Sequence, residues 1–112
     1  MATTAYVLEF GMGVDLHGGD STKAACRAVF DAIRHSSLPL LSEIRERGGE
    51  MLVEVTVAVP NAHTVDLETV KHELPHGIVT VRAVEGGLSV PGRDTLLACA
   101  AITVSAQYPA NQ

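Results

Sequence analysis

Asp15 and His17 stand two residues apart in the run Gly11-Met12-Gly13-Val14-Asp15-Leu16-His17-Gly18-Gly19-Asp20. If a strand continues through both, a carboxylate and an imidazole leave one of its faces. Together they would supply two ligands of a divalent metal site, or an acid/base pair for catalysis. A third reading has His17 hydrogen-bonded to Asp15 or to turn amides as structural glue. A metal would need a further ligand, and His35, His63, His72 and His76 are the other histidines, with a subunit boundary as one route to them. Gly18 and Gly19 let the backbone bend closely around whatever these side chains hold.

Lys23, Arg27 and Asp31 follow at i, i+4 and i+8, one stripe of a helix that begins just after the glycines. Lys23 and the free amides of that helix start could hold an anion. Positive charge in a first turn opposes the helix dipole, so an acid must offset Lys23, and Asp20 is the candidate. For Arg27 and Asp31 the plainer expectation is a solvated ion pair. Further on, Glu85-Gly86-Gly87 and Pro91-Gly92-Arg93-Asp94 place charges in tight turns. Glu85 is a candidate ligand-binding residue there, and the planar fork of Arg93 suits a carboxylate or phosphate unless it pairs with Asp94. Gly11-x-Gly13 lacks the third glycine of a dinucleotide fingerprint in register, so a Rossmann site is rejected. No nucleophile stands out, because Ser21 and Thr22 sit where capping explains them.

The elements that must position these residues follow from periodicity. Tyr6, Leu8 and Phe10 alternate in a first strand over residues 5–14. A helix capped by Asp20 or Ser21 runs to about His35, and its Ala24, Ala25, Ala28, Ala32 and Ile33 make a small-residue face that can lie close to a sheet. Leu40, Leu41 and Ile44 mark a further helical turn or two, stopped by Gly48-Gly49. Met51 to Val59 alternates cleanly as a strand. A helix from Leu67 to Leu74 has Asp66 as cap and Pro75 as stop. Ile78–Val84 is a third strand, and a loop from Glu85 to Asp94 leads to a fourth over Leu96–Gln107. The fold class is α+β, one domain over residues 1–112, in core order βαβαββ. It forms a four-stranded mixed sheet with helices on one face.

Composition narrows the class of partner. The chain of 112 residues carries a net charge of −5 with eight basic residues and no basic run, which excludes nucleic acid and anionic membrane surfaces. Its start has no signal-peptide pattern and no apolar stretch is long enough to span a bilayer, so a cytoplasmic protein is expected. Cys26 and Cys99 read as small buried hydrophobes. No charge follows Asp94, so neither face of the last strand is polar and both must be covered. Helices can cover one. The other is expected to pack on another subunit, making a homo-oligomer with pockets at subunit boundaries.

The run Gly13-x-Asp15-x-His17-Gly18-x-Asp20-x-Thr22-Lys23-Ala24-Ala25, continued by Arg27-Ala28-x-x-Asp31-Ala32-Ile33, resembles a family of short prokaryotic proteins of uncharacterised function over nearly the whole chain. Gly13-Val14-Asp15-Leu16-His17 is also similar to the strand end of methylerythritol cyclodiphosphate synthase, a zinc-dependent homotrimer with sites between subunits. Arg27-Ala28-Val29-Phe30-Asp31-Ala32-Ile33 and Gly92-Arg93 with Ala98-Cys99 extend that likeness. Arg27 stands where that family has its third zinc ligand, and a guanidinium cannot ligate zinc. The likeness therefore implies a trimeric fold and a site near Asp15 and His17, without the cyclase reaction. The element order resembles chorismate mutase-like trimers as well.

Two functions are expected from different classes. One is an enzyme acting on a small anionic metabolite, with Asp15 and His17 as metal ligands or acid/base pair and Gly18, Gly19, Lys23, Arg27, Glu85 and Arg93 holding the ligand. The other is a non-catalytic small-ligand binding or oligomeric assembly module.

Overall fold

The computed structural model describes residues 2–34 and 38–109. His35 lies outside them, as do the side chains of Tyr6, Leu40 and Leu41. In chain order the elements are β1 (Ala2–Asp15), α1 (Ser21–Ile33), α2 (Leu38–Glu46), β2 (Glu50–Ala58), a 3-10 turn (Ala62–Thr64), α3 (Leu67–Lys71), β3 (Ile78–Val84), β4 (Leu88–Ser89) and β5 (Leu96–Tyr108). The long strands are ordered β1-β5-β2-β3. β5 runs antiparallel to both neighbours, and β2 pairs parallel with β3 across a connection that contains α3. This is the expected α+β class with a mixed sheet. The short β4, paired to β5, makes the sheet five-stranded where a loop was expected. α3 ends at Lys71, three residues before its expected end at Leu74. There the chain tightens to 3-10-type bonds, Glu73 N–H to Val70 O and Leu74 N–H to Lys71 O, ahead of Pro75.

The core lies between α1, α3 and one face of the sheet. Ala24, Ala25, Ala28, Val29 and Ala32 of α1 meet Val53, Val55 and Val57 of β2 and Leu96, Ala98, Ala100 and Ile102 of β5, with Val70 of α3 and Val79 of β3. Large side chains are not available to fill this space, so stability depends on close approach. Gly11 and Gly13 permit it. A Cβ at Gly11 would lie 2.9 Å from Ala32 Cα, and one at Gly13 2.6 Å from the carbonyl carbon of Arg27. The alanine face expected to hug a sheet does so against two glycines of β1.

The opposite face of the sheet carries Leu8, Phe10 and Met12 of β1, exposed at 56%, 66% and 62%. Register places them beside Thr103, Ala101 and Cys99 of β5, which in turn neighbour Glu54, Thr56 and Ala58 of β2. Thr80, Arg82 and Val84 complete the rows on β3. β5 is central in the sheet, yet from Leu97 to Thr103 only its helix-facing side is closed: Cys99 is exposed, and Leu97, Ala101 and Thr103 are half-buried, while Ser105 beyond them is buried. No described helix is long and apolar enough to cross a membrane.

Candidate functional site

β1 ends at Asp15, so the alternation that would bring His17 onto the same face does not continue. The two side chains have different surroundings. Asp15 is 2% exposed, and its Oδ2 accepts the Asp20 N–H at 2.9 Å. Its Oδ1 lies 3.7 Å from Arg27 Nη1. A carboxylate withdrawn from water requires such partners. His17 projects outward with its side chain 89% exposed, and its Nδ1 lies 3.8 Å from Asp94 Oδ1. Among the described residues no group of three or more His, Cys, Asp and Glu side chains is gathered to hold a metal ion.

The glycine loop owes its shape to Asp94 and Thr95, at the entrance to β5. Gly18 has φ +109° and Gly19 φ +62°, conformations that glycine adopts without steric cost. Gly18 N–H donates to Asp94 Oδ2 at 2.7 Å, Gly19 N–H to Asp94 O at 2.9 Å, and Thr95 Oγ1–H to Leu16 O at 2.8 Å. The Gly18 bond is the main reason the Asp94 carboxyl titrates below the ordinary carboxylate range, with the nearby His17 adding to it. Because the folded value lies below the unfolded one, this contribution to stability is full above the ordinary carboxylate range and disappears as pH falls through the folded value. Hydrogen exchange followed by NMR on acidification should therefore show the Gly18 amide losing protection relative to core amides of β5. Equal behaviour of the two would refute the clamp.

Arg27 and Asp31 do not pair with each other as expected. Arg27 Nη1 donates to Val14 O at 2.6 Å, and Asp31 Oδ2 accepts Met12 N–H at 3.0 Å. β1 is an edge strand, and these main-chain groups point away from β5. Successive turns of α1 thus supply a cation and an anion that cap the exposed edge beside Gly13, where another strand would otherwise add.

The remaining candidates are staples of the same end of the molecule or lie on its surface. Asp20 is the N-cap of α1, and its carboxylate accepts the Lys23 N–H at 3.1 Å. The acid expected near Lys23 is present, engaging its main chain while the side chain stays exposed. Glu85 accepts Ala62 N–H at 2.6 Å and Asn61 N–H at 3.3 Å, holding the 3-10 turn. Ser21 Oγ–H donates to Pro60 O at 2.6 Å, and Asp66 N–H to Thr22 Oγ1 at 2.9 Å, which ties α1 to that turn. Arg93 is exposed, with its N–H bonded to Val90 O at 3.1 Å. His63, His72 and His76 are exposed as well. The cysteines differ from expectation: Cys99 is exposed and Cys26 half-buried, with burial the main cause and Glu73, Asp20 and Asp66 lesser causes of a raised thiol pKa.

The structure places Asp15, Gly18, Gly19 and Arg27 at one end of the sheet, while the His17 side chain points to solvent and Glu85 holds the 3-10 turn. Sequence reasoning misses that Asp94 and Thr95 hold the loop. The local signal was an Asp-Thr pair after a Gly-Arg turn, and nothing in that neighbourhood points to a partner 76 residues away.

A single α+β domain with a helix-covered face, a bare face and a clamped glycine loop is the class these features define. The chain belongs to the family described as conserved hypothetical protein (Lin0512_fam), whose sequence model matches residues 5–104. It is similar to the crystal structure of a FtsZ-like protein of unknown function from Nostoc punctiforme, at 38% sequence identity and a TM-score of 0.80 over 94% of this chain and 97% of that one. No curated protein matches it.

Proposed function

We propose that the protein is a non-catalytic homo-oligomeric assembly module whose bare sheet face docks against another copy. The observation that carries this reading is the row Leu8, Phe10 and Met12, each more than half exposed and flanked by Cys99 and Ala101 on the side away from the helices. Each such side chain gains about 1.5–3 kcal/mol when fully removed from water, so a cluster of them on one flat face favours association. The reading of Asp15 and His17 as a catalytic pair has less support. Asp15 spends both oxygens on Asp20 and Arg27, and His17 faces solvent beside Asp94.

The test is mass in solution. Light scattering should give a multiple of the 11.8 kDa chain, and Phe10→Glu should shift it toward the single-chain mass while the circular dichroism spectrum stays unchanged. A wild-type mass of one chain across the micromolar range would overturn the reading.

A further inference from the structure

The bare face carries two opposite charges, Glu54 on β2 and Arg82 on β3. Glu54 is in register with Thr80, and Thr56 with Arg82, so the charges are one strand and two residues apart. Strand spacing and rise put them about 8 Å from each other across the diagonal. Arg82 Nε–H donates to Thr56 Oγ1 at 3.0 Å, which steadies the guanidinium. Among the described residues neither charge has an ion-pair partner within the chain. Both border a concavity of about 230 Å³ that is lined also by Val55, Thr56, Thr80 and Val81.

We infer that the occupant of this face is a second copy related by a two-fold axis, with each Arg82 against the partner's Glu54. The inference rests on the assembly reading above and gives it a geometry. In a two-fold contact, residue i meets j and j meets i, so one acid and one base side by side become two pairs. For face-to-face packing the axis lies in the plane between the sheets, midway between Glu54 and Arg82 and perpendicular to the line joining them. Laying the register out at about 4.8 Å between strands and about 3.3 Å per residue tests this axis against the apolar residues. Reflection across it brings Phe10 opposite the partner's Cys99, and Leu8 opposite the partner's Ala58 and Val84. Met12 falls almost on the axis, opposite the partner's Met12. The axis chosen from the charges alone therefore puts apolar side chains on apolar side chains.

Charge reversal tests this contact. In sedimentation velocity, Glu54→Arg and Arg82→Glu should each weaken self-association by about tenfold or more, because each sets like charges together. The double variant Glu54→Arg with Arg82→Glu should recover association to within about threefold, since the pairs re-form in reversed order. Independently, Met12→Cys in a Cys99→Ser background should give covalent dimers with a short bismaleimide, as facing sheets lie about 10 Å apart. A wild-type chain that stays single overturns the assembly reading and this inference together. A wild-type oligomer that both single reversals leave intact, with no cross-linking at position 12, overturns the two-fold contact alone.

Discussion

Gly13→Ala should cost about 3 kcal/mol of folding stability and Gly13→Val more, which for a domain of this size lowers the melting temperature by roughly 10–20 °C. The reason is steric and local. The added Cβ would lie 2.6 Å from the carbonyl carbon of Arg27, a backbone atom of α1 that cannot move aside like the tip of a side chain. α1 would have to lift from β1, and Ala24, Ala28 and Ala32, all 0% exposed, would lose their contacts. A core built from alanine and valine has few large side chains with which to refill the gap. Domains of this size retain only about 5–15 kcal/mol in all, so a loss of this order threatens folding at physiological temperature. Calorimetry decides the matter: a Gly13→Ala melt within about 2 °C of wild type would show that the helix-to-sheet approach is looser than described.

The second large effect is expected at Asp15. Asp15→Ala removes the acceptor for the part-buried Asp20 N–H and the anion beside the exposed Arg27 guanidinium, which keeps its bond to Val14 O, a loss of about 1–3 kcal/mol that comes mainly from the orphaned amide. Asp15→Asn keeps an acceptor and forfeits only the charge, so it should cost roughly half as much. Chemical denaturation measures both, and hydrogen exchange at Asp20 locates the damage. The expected order is wild type, then Asn, then Ala. An alanine variant as stable as wild type would mean that the Asp15 bond to Asp20 N–H does not help hold the start of α1, and would restore the case for a functional carboxylate there.

The cap that α1 places on the β1 edge bears on how copies can meet. Arg27 and Asp31 occupy the main-chain groups of Val14 and Met12, so strand addition at that end of β1 must first displace two charge-assisted hydrogen bonds. The bare face has no comparable guard. Edge protection together with an open face favours stacking of sheets over extension of one sheet, in line with the two-fold contact inferred from Glu54 and Arg82.

Local order was readable wherever the physical signal is short-ranged. The alternation of valines from Val53 to Val59 marked β2, the Asp20 and Asp66 caps marked the starts of α1 and α3, and the Ala24, Ala28 and Ala32 spacing announced a helix lying against a sheet. The uncharged stretch after Asp94 signalled β5. Periodicity and capping act over a few residues, so a sequence by itself determines them.

The partners of the charged groups were decided only by the tertiary structure. Asp15 and His17 differ in fate because β1 ends between them, and it ends where the glycine loop is drawn onto Asp94 and Thr95. That contact exists because β1 and β5 pair antiparallel with Asp15 in register with Leu96, a match made by the whole length of both strands. Arg27 and Asp31, ideally spaced to pair with each other, turn instead to an edge whose existence depends on the strand order β1-β5-β2-β3. Hydrogen-bonding side chains of similar chemistry offer many near-equivalent partners along a chain. Only the packed sheet, by bringing one set within 3 Å, selects among them.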